Sequence, residues 1–153
     1  MFEGTPQQFW TSLSRLRSLP DDMRVYCAHE YTQSNARFAV TVETDNSQLM
    51  ARRAAVDAAR ARGEATVPSL LGEEKQTNPF LRADLPGVQK AVGMVGKDPA
   101  LMFAEVRHRK DVFRSQQLPG IAQAAGVIAS AFRNSGSRFI VRRAERKGIT
   151  AIF

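Results

Sequence analysis

Val25-Tyr26-Cys27-Ala28-His29-Glu30-Tyr31-Thr32 is the stretch on which the fold turns. Val25, Tyr26 and Cys27 are β-branched, aromatic and small-apolar, the types that a pleated, half-buried surface accepts. They read as the end of a buried strand. His29 follows where the strand runs out into a loop, a common position for a ligand carried by a rigid element. A neutral imidazole is the commonest protein ligand for a borderline metal such as zinc. One imidazole does not make a site, however. A structural zinc needs about four protein ligands, and a catalytic zinc about three plus water. The only other histidine, His108, is far away in sequence and reads as an exposed residue.

The chain has 153 residues, enough for one domain with a real core. Hydrophobic content of 43% and charged content of 24% are ordinary for a globular protein. No apolar run approaches the ~18 residues that span a bilayer. No basic patch followed by an apolar stretch marks a secretory signal at the N-terminus. The single cysteine, Cys27, excludes an internal disulfide framework and reads as a small buried hydrophobe. A cytoplasmic protein is the expectation. The net charge of +7 is unevenly spread. Residues 1–113 hold 15 Lys+Arg against 14 Asp+Glu, whereas residues 114–153 hold 7 against 1. Such asymmetry suggests an interaction tail or a segment of separate origin.

Outward from the central stretch, the pattern is mostly helical. Thr5, Pro6 and Gln8 form a Thr-x-x-Gln capping box with proline at the first helical position. Phe9, Leu13 and Leu16 then recur at helical spacing until Pro20. A strand is predicted over 24–27 and a second helix over 31–42, with Phe38, Ala39 and Val42 on one side. Asn46 can cap a third helix over 47–62, closed by Gly63. Pro68, Gly72 and Pro79 punctuate a less regular stretch with a helical turn near 70–76. A short helix is predicted over 85–92. Asp98-Pro99 starts a last body helix running to about 111, with Leu101, Met102, Val106 and Phe113 apolar. On that helix Arg107 and Lys110 are three apart, neighbours on one face. Residues 121–132 are small and apolar, 134–137 read as a linker, and 138–152 mix basic and apolar residues without a firm period.

Five motifs occur in order: Phe2-Glu3-Gly4-Thr5, Cys27-Ala28-His29-Glu30-Tyr31-Thr32, Gly72-Glu73-Glu74-Lys75, Asn78-Pro79-Phe80-Leu81-Arg82 and Arg107-x-x-Lys110-Asp111-x-Phe113. Over residues 1–113 the chain resembles the C-terminal half of the hydroxyacylglutathione hydrolase (glyoxalase II) family. The resemblance implies a mainly α fold, an α+β remnant in which a helical C-terminal domain keeps a short strand from the sheet of a metallo-β-lactamase-fold domain. It divides the chain into a remnant of that domain at 1–29, the helical domain at 30–113 and a basic tail of unknown origin, read as a solvated or disordered extension, at 114–153.

The family hydrolyses S-D-lactoylglutathione to D-lactate and glutathione with a binuclear metal site. The two ions lower the pKa of a bound water and polarise the thioester carbonyl. By resemblance His29 is a metal ligand, and Tyr31, Arg107 and Lys110 bind the glutathione portion. Two fixed cations suit a carboxylate, with arginine offering a bidentate fork. Two divalent ions are implied for the complete family site, with zinc, iron and manganese all suited to imidazole and carboxylate ligands. The family's Thr-His-x-His-x-Asp-His motif, a further histidine, a bridging aspartate and a basic residue before Phe-Glu-Gly-Thr fall upstream of Met1. The chain therefore reads as a fragment or as a product of an internal start. It is expected to hold neither ion tightly and to lack turnover alone, with a glutathione thioester and the missing N-terminal half as its partners.

Losing neighbouring strands is expected to expose an unpaired edge and apolar surface, giving marginal stability or association. Two other readings are a glutathione-binding module without chemistry and a basic tail that attracts nucleic acid or an anionic surface. The tail lacks a nucleic-acid fold signature, and Phe132, Phe139 and Phe153 are sparse for base stacking, which argues against nucleic acid.

Overall fold

The computed structural model describes residues 4–116, with side chains to Phe113. The predicted caps set the element boundaries. The Thr5 hydroxyl accepts from the Gln8 N–H at 3.2 Å and the Thr5 N–H donates to the Gln8 side chain at 2.8 Å, starting α1, Pro6–Arg17. Asn46 Oδ1 accepts from the Leu49 N–H at 3.1 Å and starts α3, Ser47–Ala61. Asp98 Oδ1 accepts from the Ala100 N–H at 2.8 Å at the head of α6, Pro99–Gln116. Each bond satisfies an N–H that a helix start leaves orphaned. Between them lie α2, Thr32–Val42, α4, Leu71–Thr77, a 3-10 turn at Pro79–Leu81 and α5, Pro86–Ala91. Gly63, at φ +76°, ends the α3 region in a conformation that costs glycine little.

The fold is mainly helical with a two-stranded antiparallel ribbon, and it differs from the sequence reading in four places. The strand is shorter than 24–27: β1 is Arg24–Val25. It is also paired, because Ser69–Leu70 forms β2, with Arg24 opposite Leu70 and Val25 opposite Ser69. One side of β1 is thus paired, by a strand the sequence reading missed, since two residues are too few for a period to show. Helix α1 stops at Arg17, before Pro20, where the Ser18 N–H bonds back to Ser14 and Leu16. Helix α6 runs on past 111, and Leu101, assigned to its apolar side, is 55% exposed, while Phe103 is buried in its place. The expectations for the basic tail and for residues 121–132, 134–137 and 138–152 lie outside the described residues.

One core joins the ribbon to α1, α2, α4, α5 and α6 through Leu13, Val25, Phe38, Val42, Leu71, Val88, Met102 and Val106, among others. Helix α3 packs on α2 through a smaller cluster of Ala39, Val40 and Leu49. Polar ties close the gaps between these elements. Arg52 on α3 has a side chain 9% exposed and reaches Thr77 at 2.5 Å, Glu74 and, at 3.4 Å, Glu73. Glu74 also accepts from Ser69 at 2.6 Å and from Asn78 at 2.9 Å. Burial opposes the charge on Glu74, but the Arg52 guanidinium and the two neutral donors outweigh it and hold the carboxyl below its usual range. Arg82 forks onto Glu43 with two 2.9 Å bonds, and Lys75 reaches Asp21 at 2.5 Å and the Leu19 carbonyl at 2.8 Å. The Gly-Glu-Glu-Lys and Asn-Pro-Phe-Leu-Arg motifs thus act as the joints of the fold. Gly72 is needed for close approach: its N–H donates to the Asp21 carbonyl at 2.9 Å, and a Cβ there would stand 3.0 Å from the Asp21 Cβ.

Candidate functional site

The segment between β1 and α2 carries His29 and Tyr31, both exposed, on a tight turn in which the Tyr31 N–H donates to the His29 carbonyl at 3.0 Å. Their rings stack with centroids 5.0 Å apart and planes 11° apart. Glu30 between them is fastened to the loop before β2. The Thr66 hydroxyl and the Thr66 N–H, the latter at 2.9 Å, both donate to its carboxylate, and Arg60 lies 4.0 Å away. The Thr66 hydroxyl, then its N–H, hold the Glu30 carboxyl below the usual range against the small opposing effect of burial. An ionised carboxylate with both oxygens engaged is a clamp, and it has no proton to give at neutral pH.

Lys110 of α6 is linked to this turn through α2. Lys110 Nζ donates to the Ser34 carbonyl at 3.1 Å, across 76 positions of sequence, and the Ser34 hydroxyl donates to the Tyr31 carbonyl at 3.0 Å. The Lys110 ammonium also lies over the rings of Phe38, at 5.1 Å, and Phe113, at 5.5 Å. Arg107, about one helical turn earlier, donates to Asp111 at 2.9 Å. Lys110 is thus linked through Ser34 to the backbone of Tyr31, whose ring stacks on His29, and Arg107 lies on the same helix as Lys110. His108 is exposed on α6, as the sequence reading had it. Ser34, Phe38 and Thr66 were missed as site supports. Ser34 and Thr66 act through backbone groups as well as hydroxyls, and such contacts leave no mark on a sequence. Phe38 was read simply as an apolar helix position, which it also is.

A metal centre needs several such donors at one point. Among the described residues no three His, Cys, Asp or Glu side chains gather where they could hold an ion. Glu30, the carboxylate next to His29, is committed to Thr66 and Arg60. This donor set does not fit a binuclear centre, and His29 stands as one candidate ligand. The described residues also form an open groove of about 370 Å³ between α3 and α4, lined by Gln48, Ala51, Arg52, Ala55, Glu73, Gln76 and Thr77, away from these groups. None of the candidate residues lines it. No described helix is long and apolar enough to cross a membrane.

Comparison with known proteins agrees with the motifs. A family model described as hydroxyacylglutathione hydrolase C-terminus matches residues 30–113. A hydroxyacylglutathione hydrolase of Ruegeria pomeroyi is 62% identical over 113 residues, which cover 74% of this chain and 44% of that protein. Proteins of the same description from Maricaulis maris and Methylococcus capsulatus are 53% and 54% identical, again over 74% of this chain and 44% of theirs. The chain thus spans less than half the length of these curated relatives.

Proposed function

The chain belongs to the hydroxyacylglutathione hydrolase family through its C-terminal region, and from that premise we propose that it provides the glutathione-binding face of a glutathione thioester hydrolase acting on S-D-lactoylglutathione. Tyr31, Arg107 and Lys110 are assigned to the glutathione portion and His29 to a metal ligand. The observation that carries the reading is the bond from Lys110 to the Ser34 carbonyl. With the bond from the Ser34 hydroxyl to the Tyr31 carbonyl, it links the Arg-x-x-Lys motif to the segment that carries His29 and Tyr31. The exposed Tyr31 ring and the two cations offer a stacking surface and anion-binding groups of the kinds a peptide carboxylate needs. Cations already held in place spare the entropy of ordering their own long side chains when the ligand binds.

Bond cleavage needs more than these residues supply. In the proposed whole enzyme two divalent ions, zinc or else iron or manganese, would furnish the hydroxide and polarise the carbonyl. His29 would be this chain's ligand to such a centre, and among the described residues no cluster of three donors gathers to complete it. The proposal therefore assigns binding and orientation to this chain. A cytoplasmic setting and an N-terminal half as partner belong to the same reading.

Complementation tests it. The chain is mixed, with zinc, with the part of the Ruegeria pomeroyi relative that lies upstream of the matched region, and thioester loss from S-D-lactoylglutathione is followed. The expected result is turnover from the mixture and from neither half alone. His29→Ala abolishes the restored rate, while Arg107→Ala and Lys110→Ala raise KM. Failure to recover turnover in a mixture shown to associate contradicts the reading, as does a KM indifferent to both cations.

A further inference from the structure

Phe113 closes the Arg-x-x-Lys-Asp-x-Phe motif and packs against the main core. Its ring is half-buried, stands 5.7 Å from the Phe38 ring and is tilted 55° to it. The Lys110 ammonium lies within reach of both ring faces and donates to the Ser34 carbonyl at 3.1 Å. A lysine is ordinarily a point charge on a flexible four-carbon stem. A ring face within about 6 Å attracts that charge without taking up a hydrogen-bonding proton. Two rings and one carbonyl together restrict where the cation lies. Phe38, 1% exposed, is the buried one of the two rings, and Phe113 is the half-buried one.

We infer that Phe113 is a positioning residue that, together with Phe38, holds the Lys110 ammonium over two aromatic faces so that it meets a glutathione carboxylate already ordered. This rests on the proposed glutathione reading. Leucine at 113 would fill much of the same space and supply no ring face. Tyrosine would keep the face. The role thus depends on the π-system and not on apolar bulk alone.

The test uses the full chain and glutathione itself as the probe. NMR of the free protein is expected to show the Lys110 ε-methylene protons shifted upfield by ring currents, relative to the exposed Lys97. Phe113→Leu moves them back toward the Lys97 position and weakens glutathione binding about tenfold, equivalent to about 1.4 kcal/mol. Phe113→Tyr retains both the shift and the affinity, and Lys110→Gln weakens binding at least as much as Phe113→Leu. Phe113→Met provides the same comparison if the leucine variant does not fold. Unshifted Lys110 protons in the parent protein overturn the inference. So does unchanged affinity in Phe113→Leu when Lys110→Gln binds weakly. Unchanged affinity in Lys110→Gln, or no binding by the parent chain, instead sinks the glutathione reading, and the ring-current shift then decides the cage by itself.

Discussion

Replacing Arg52 by methionine would remove the cation at the centre of the polar joint and keep the length of its stem. The Arg52 and Glu74 side chains are 9% and 12% exposed, so the pair is well removed from water. Deleting one partner of a buried pair typically costs about 3–5 kcal/mol, because the remaining charge is stranded. Glu74 keeps its bonds from Ser69 and Asn78, which places the expected cost toward the lower end, about 3 kcal/mol. That is a large share of the roughly 5–15 kcal/mol that holds a domain folded. Urea unfolding followed by the fluorescence of Trp10, which packs against the core, reads it directly. At a slope of about 2 kcal/mol per molar urea, the midpoint falls by about 1.5 M. The double variant Arg52→Met with Glu74→Met should cost less than the sum of the two single changes, since no orphan charge remains. A midpoint for Arg52→Met within about 0.3 M of the parent, or strict additivity in the double variant, would refute the reasoning.

Other perturbations probe other joints. The Glu74 carboxyl is held below its ordinary value of 4.5, so its contribution is present above that pH and is lost as pH falls through the folded-state value. Acid unfolding should therefore be flatter below about pH 4.5 in Glu74→Gln, and an unaltered profile would argue against an ionised Glu74 in the fold. Gly72→Ala brings a methyl onto Asp21 and should cost about 1–3 kcal/mol in the same urea assay, with a parent-like midpoint counting against the close approach. Thr5→Ala removes the capping box and should cost about 1 kcal/mol, with accelerated amide exchange confined to the first turn of α1. Thr66→Val keeps the N–H bond to Glu30 and removes the hydroxyl bond. It should loosen the His29–Tyr31 stack, seen as a loss of ring-current shift on the His29 protons, while the global midpoint moves little.

Much of this was legible in the sequence where the cause is local. Thr5 with Gln8, Asn46 and Asp98 announce helix starts because a short polar side chain and a nearby N–H settle the matter within a few residues. The separated motifs pointed to the family, which the match over residues 30–113 bears out. What stayed hidden depends on tertiary contacts. Ser69–Leu70 becomes a strand only because Val25 and Arg24 lie beside it. Leu101 reads as apolar and helical, yet it turns to solvent because the side of α6 facing α1 is filled by Met102, Phe103 and Val106. Glu73, Glu74 and Lys75 are adjacent in their motif, and the structure splits them among Arg52, Ser69, Asn78 and Asp21. The Glu30–Thr66 clamp joins residues 36 apart and could not be inferred from either neighbourhood.

The central claim is that this chain presents a glutathione-binding face at the start of α2. Mapping amide and side-chain shifts during a glutathione titration tests it most directly. The account predicts changes concentrated at Tyr31, Ser34, Arg107 and Lys110, with the α3–α4 groove around Arg52 and Thr77 unmoved. Shifts centred on that groove, or none at the four residues at saturating glutathione, would contradict it.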